Sequence, residues 1–322
     1  MEPTESLTPT TKRVLLTSFF VDILDVAMNA TIAVITGSVV MLAETLEGFA
    51  DMCSAGLLLV GFKKSTKRPN KLHPFGFGKE LYFWSTLAAF IMVAITATLS
   101  FRYGYEEFKD PTEVKHIGIA IAVLAVAVAT NGYSFMLSAR KLLEGKGINK
   151  LWEAFLASPH IAPKSTLVLD AMGVLAAMFG LFSLLMYTLT GNSQFDGIGA
   201  MLVSLVLVAS AIVLLITIRS LVIGQSAPRE MERRIRDAVR EIPEVRHIVG
   251  MRTMMLGSDS LLVNIDVHLR DGLTTDQIEN VIEKVRDAAE ETGEGFTVHV
   301  EPDPEHHRTP KLPESHTPSL DD

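Results

Sequence analysis

Residues 14–36 read VLLTSFFVDILDVAMNATIAVIT, and residues 36–65 read TGSVVMLAETLEGFADMCSAGLLLVGFKKS. Each holds an apolar run long enough to cross a bilayer, for which about 20 residues suffice. Each also carries acids inside that run. Asp22, Asp25 and Asn29 stand at i, i+3, i+7, and Glu44, Glu47 and Asp51 repeat the same spacing. In a helix each trio therefore shares one face. An acid at the centre of a membrane helix costs about 2.5–3.5 kcal/mol, so it needs a partner or a wet cavity.

Working outward, the apolar pattern gives six spans, at about 14–36, 38–62, 79–103, 114–139, 165–190 and 196–222. One such helix could be the core of a water-soluble fold; six in succession read as a membrane protein. The 322 residues are 48% hydrophobic, with mean hydropathy +0.30. Residues 1–223 carry 17 Lys+Arg against 16 Asp+Glu, and residues 224–322 carry 12 against 21. A nearly neutral apolar part thus precedes an acidic, polar one. That acidity excludes a nucleic-acid binder, which needs a basic face. The single cysteine, Cys53, excludes an internal disulfide or a thiolate zinc cluster. No small-residue cleavage site follows a short apolar core near MEPTESLTPTTKR, so the first span is expected to be retained.

Loop charges set the expected orientation. Lys63, Lys64, Lys67, Arg68, Lys71 and Lys79 lie at or between the ends of spans 2 and 3, and Arg140, Lys141, Lys146, Lys150 and Lys164 around the connection of spans 4 and 5. The opposite loops are Thr36-Gly37, Tyr105 to Lys115 with two lysines and four acids, and Thr190 to Gln194 with no basic residue. The positive-inside bias places the basic loops and both termini in the cytosol, of a plasma or inner membrane if the source is bacterial.

After Gly224 the texture is that of a small α+β domain. APREMERRIRDAVREI has helical spacing, with Ser226 as its expected cap. VRHIVGMRTMML and LLVNIDVHL, joined at Gly257-Ser258-Asp259, read as a hairpin, TTDQIENVIEKVRDAAEE as a Thr-capped helix and FTVHVEP as a strand ending at Pro302. The order αββαβ implies one sheet with two helices on one face. The expected organisation is a cytosolic N-terminus (1–13), a six-helix membrane domain (14–223), a cytosolic domain (224–302) and a disordered tail (303–322).

No basic residue lies near the middle of any span to neutralise Glu47, Asp51 and, in span 5, Asp170. Such a set takes its positive charge from outside, as a metal ion or as protons. Asp25, Asn29 and Thr166 are candidate companions; Asp22 and Glu44 lie nearer the span ends and are expected to face water. Cys53 points to another face and reads as a small core residue. No GxGD or DDxxD pattern of an intramembrane enzyme occurs.

The stretch TGSVVMLAETLEGFADMCSAGLLLVGFKKS followed by RPNKLHPFGFGKELYFWS resembles the second and third membrane helices of the cation diffusion facilitators, in particular the branch with an HPxGxGxExYFW loop. The resemblance continues through STLVLDAMGVLAAMFG, RSLVIGQSAP, the hairpin and FTVHVEP, over about residues 14–302. It implies a homodimeric exporter that exchanges a divalent transition metal for protons, a secondary transporter with no resident cofactor, whose cytosolic domains are metallochaperone-like and pair across the dimer axis. Position by position, the family's ligand pairs fall on Glu47 and Asp51 in the second helix and on Thr166 and Asp170 in the fifth. The family's histidines are missing from both helices, and Leu169 stands where the branch often has an acid. Oxygen ligands suit manganese, iron(II) or magnesium better than zinc, which favours imidazole.

The other ligand positions implied by the resemblance are incomplete. His73 survives in the loop after span 2, with Asn70 and Phe77 at the neighbouring positions. In the cytosolic domain His299 and Glu301 match two ligands and could form a weak site, whereas Val249 and Ile265 replace two histidines. His247, Asp266 and His268 stand outside the family register. Lys79 matches a lysine that ties protomers together, without an evident acidic partner near Gly224. The expected function is therefore metal efflux by metal/proton exchange; the alternative is a scaffold or regulatory subunit of the same fold that does not transport.

Overall fold

The computed structural model describes residues 9–143, 147–151, 161–257, 260–293 and 295–303, with the backbone alone for residues 9–18, 141, 148 and 161–166. The chain divides at Val222/Ile223 into two compact units.

The first unit is helical: α1 (Pro9–Thr36), α2 (Val39–Ser65), α3 (Glu80–Ile91), a π-helical turn (Met92–Ala97), α4 (Thr98–Lys109), α5 (Ile117–Leu143), α6 (Ile161–Thr190) and α7 (Gln194–Ile223). Six stretches are long and apolar enough to cross a membrane: Phe19–Thr36, Val39–Ser65, Glu80–Lys109, Ile117–Arg140, Leu167–Thr190 and Gln194–Ile223. The third is longer than the apolar pattern implies. The helix runs past residue 103 because the Arg102–Glu106 pair, 2.9 Å apart at i, i+4, supports a polar last turn. The first starts at Pro9, since a proline's fixed φ and missing N–H are tolerated in a first turn.

Alanines recur at the helix contacts. One cluster joins Ala50, Ala89, Met92, Ala97, Leu207 and Ala211, and another joins Ala43, Ala176, Ala200, Val203 and Val206. Lipid gives no hydrophobic drive for helices to associate, so close approach through small residues supplies the packing. Phe20, Leu24, Phe90, Phe182 and Ile216 point outward, as lipid-facing side chains do. The turn between α1 and α2 is only two residues, with Gly37 at φ +71° and its N–H on Ala33 O. Glycine occupies this left-handed conformation without a Cβ clash.

The second unit consists of α8 (Arg229–Arg240), β1 (Val245–Met255), β2 (Leu261–Leu269), α9 (Thr275–Glu290) and β3 (Phe296–Pro302). The sheet order is β1-β2-β3; β1 and β2 are antiparallel and β2 and β3 parallel, with α9 as the crossover. Alternate residues Leu261, Val263, Ile265 and Val267 of β2 pack with Ile235 and Val239 of α8 and Val281 and Val285 of α9 in one core. Each such buried Val, Leu or Ile is worth about 1.5–3 kcal/mol. Both helices therefore cover one face of the sheet. Thr274 caps α9 through a reciprocal capping box with Gln277.

Ser226 does not cap α8. The helix starts one residue after Pro228, with no side-chain cap. The chain before it lies along β1 instead: Gln225 O accepts from Met255 N at 2.8 Å, and Ala227 N donates to Thr253 Oγ1 at 2.9 Å. The hairpin tip Ser258-Asp259 and the tail from residue 304 lie outside the described residues.

Candidate metal-ion site

Helices α1 and α2 carry the two acid-bearing faces predicted from their spacing, and they pack against each other. Asn29 is buried and donates from Nδ2 to Asp25 Oδ2 at 3.0 Å. The Asp25 carboxylate also reaches α2. Its Oδ2 lies only 3.1 Å from the point where a Cβ on Gly48 would stand. Glycine at 48 thus makes the room that Asp25 occupies. From there Asp25 lies within electrostatic reach of Glu44, Glu47 and Asp51. No ion pair among the described residues reaches any of these acids.

Burial changes in steps along this face of α2. Asp51, nearest the basic end of the helix, is exposed; Glu47 is half-buried; Glu44 is only 6% exposed. The expectation that Glu44 faces water is therefore corrected. It lies under α6, its Oε1 3.3 Å from the Cβ point of Gly180, between Val40 and Leu124. Hydropathy gives the depth of a residue along a span and says nothing about which neighbour covers it. Asp22, expected to face water, is half-buried on α1.

Asp170 of α6 is engaged elsewhere, accepting a hydrogen bond from Ser138 Oγ of α5. One and two turns away on the same α5/α6 seam, Asn131 Nδ2 donates to Gly173 O at 3.3 Å. Thr166 lies one turn before Asp170 in α6, its side chain outside the described residues. Among the described residues no three His, Cys, Asp or Glu side chains converge on a common point. The arrangement has two parts: Asp25, Glu47 and Asp51 between α1 and α2, and Asp170 on the α5/α6 side.

Two family profiles match this chain. The cation efflux transmembrane domain covers residues 15–222 and the cation efflux protein cytoplasmic domain residues 227–303. The chain belongs to the cation efflux family. It is a multi-pass integral membrane protein. It is 25% identical over 225 residues to the proton-coupled zinc antiporter SLC30A9, mitochondrial, of Homo sapiens, covering 69% of this chain and 39% of that protein. Over 235 residues it is 22% identical to metal tolerance protein C4 of Arabidopsis thaliana, 72% of this chain and 51% of the relative. Zinc transporter ZitB of Pectobacterium atrosepticum is 27% identical over 233 residues, 71% and 67% of the two chains. The aligned region is thus about two fifths of the human relative and half of the plant one.

The remaining positions in this cation efflux protein are structured without forming an ion cage. His73 is exposed; its ring stacks on Phe77 at 4.5 Å, and its backbone pairs with Asn70 in both directions. His299 and Glu301 are exposed on β3, opposite Asn264 and Asp266 of β2. Ile265 faces the helix-covered core at 0% exposure, so the helix-free face carries Asp266 and His268 beside them instead. The His268 ring lies 5.0 Å from that of His247, and its Nδ1 is 3.2 Å from Asp303 O.

The sequence reading passed over Asn131, Ser138 and Asp196. Asn131 and Ser138 stand at i, i+7 in an otherwise apolar span, which is a legible polar stripe. Asp196 gives no such signal, because an acid in a helix's first turn ordinarily serves its own helix.

Proposed function

We propose that this protein exports a divalent metal ion from the cytosol in exchange for protons, working as a homodimer with both termini in the cytosol. Glu47, Asp51 and Asp170 are the transport ligands, with Asp25, Asn29 and Thr166 completing the shell. The carrying observation is the graded burial of uncompensated acids on α2, from exposed Asp51 to sealed Glu44. A carboxylate left open within a membrane span needs water and a counterion, and a dication or protons can each supply the charge. Occupancy by one excludes the other, so exchange needs no covalent step. Rocking α6 toward α2 would bring Asp170 off Ser138 and into the shell, and outward opening would then release the ion.

The names of the relatives from Homo sapiens and Pectobacterium atrosepticum point to zinc. The oxygen-only ligand set points to a harder ion, of the manganese or iron(II) kind. The cytoplasmic-domain match, a family named for dimerisation, supports pairing through the second unit.

The test is uptake of manganese, iron(II), cobalt, zinc and cadmium into proteoliposomes with a pH gradient. Asp51→Asn and Asp170→Asn should each abolish uptake of the preferred metal; intact uptake in either variant would refute the placement. The engagement of Asp170 by Ser138 favours one rival, a non-transporting scaffold. Absence of metal-driven proton flux through the wild-type protein would establish that reading instead.

A further inference from the structure

Of the three buried side-chain oxygens without a hydrogen-bond partner among the described residues, one belongs to a membrane helix: Glu44 Oε1. The ligand set above does not use it. Glu44 is 6% exposed, three residues from Glu47 toward the Ser38 end of α2. Its surroundings are Val40, Leu124 of α5 and the bare backbone of Gly180 in α6. Among the described residues, the charged groups acting on Glu44 and its neighbour Glu47 are other acids, Asp25 and Asp51 among them. An orphaned carboxyl oxygen held among apolar side chains carries a desolvation cost that an alanine or leucine would avoid. Packing alone gives no reason for a glutamate there.

The position supplies a reason. Glu44 stands on α2 between the Glu47–Asp51 level and the Ser38 end, and it is covered by α6, the helix that carries Asp170. We propose that Glu44 is a second cation-binding carboxylate, the exit-side station that receives the divalent ion from Glu47 and Asp25 when α6 moves away from α2. In the present conformation Gly180 and Leu124 cap Glu44, whereas Asp51 is exposed. The absence of a Cβ at Gly180 lets the carboxylate withdraw under α6 between turnovers. This inference rests on the transport reading above, and it assigns to Glu44 a step in release that is separate from capture.

The experiment compares Glu44→Gln and Glu44→Asp with wild type and Asp51→Asn, using full-length protein and manganese(II) as the probe. Equilibrium binding in detergent reads capture; turnover in proteoliposomes, with half-saturation measured from each side, reads release. Glu44→Gln should bind manganese within about twofold of wild type yet turn over roughly tenfold more slowly or worse, the scale on which secondary ligands act. Its half-saturation should rise only for ion presented from the exit side. Glu44→Asp, which keeps a carboxyl group, should fall between the two. Wild-type turnover in Glu44→Gln overturns the proposal, and so does a binding loss as deep as that of Asp51→Asn. If the Gln variant does not fold, an Asp variant with wild-type turnover and half-saturation overturns it. Retained binding in Asp51→Asn would instead strike at the transport site itself.

Discussion

Two oxygen-bearing side chains, Glu47 and Asp51, stand one turn apart on the same face of α2. Carboxylates bind manganese, magnesium and iron(II) readily, and imidazole shifts a site toward zinc. Glu47→His should therefore raise the preference for zinc over manganese by about tenfold, the size of effect that ligand-sphere changes have on metal affinity. Competition between the two ions in vesicles under a pH gradient measures it, and an unchanged metal profile would contradict the hard-ligand argument. At this scale much of the candidate site was legible, because an acid inside an apolar run is conspicuous. What the one-dimensional pattern could not carry was the neighbour of each acid. Glu44 reads as water-facing until α6 is seen lying over it, and Asp170 reads as unpartnered until Ser138 is seen donating to it. A serine in a membrane helix is inconspicuous because its hydroxyl usually bonds back to its own backbone, as Ser54 and Ser85 do here.

Element placement depends on helix ends, and the start of α2 is held from outside. Asp196 of α7 is fully buried and accepts from Ser38 Oγ at 2.6 Å, Val39 N at 2.6 Å and Val40 N at 3.2 Å. A helix begins with unsatisfied N–H groups and a partial positive charge, so this carboxylate both satisfies donors and complements the dipole. It fastens the acid-bearing helix to α7 at the end nearest Glu44. Asp196→Ala would leave those donors buried without an acceptor, a loss of about 2–4 kcal/mol from a cap plus charged hydrogen bonds. Thermal unfolding in detergent should show a clear drop in midpoint, with Asp196→Asn between the two. An unchanged midpoint would mean that the clamp contributes nothing. The number and order of the elements followed from apolar runs and turn residues. The π-helical turn at Met92–Ala97 and the far end of α4 did not, since both depend on local bonding, such as Thr96 Oγ1 to Met92 O, that hydropathy does not encode.

For the whole molecule the decisive quantity is the sidedness of charge. The basic residues from Lys63 to Lys79 and the acid-rich stretch from Tyr105 to Lys115 lie at opposite ends of the spans, and the positive-inside bias assigns the former to the cytosol. The direction of transport hangs on that assignment. With the basic end inside, exposed Asp51 lies toward the cytosolic end of α2 and buried Glu44 toward the far end, the order that the proposed export direction requires. With the orientation reversed, the same burial gradient would open to the outside. Cys53 is the single cysteine, so Cys53→Ser gives a background without thiols. Lys71→Cys and Glu113→Cys, both at exposed loop positions, then report one side each. A membrane-impermeant maleimide should label the position 71 variant only in inverted vesicles and the position 113 variant only in right-side-out ones. The opposite pattern would invert the topology and, with it, the sense in which Glu44 lies on the exit side.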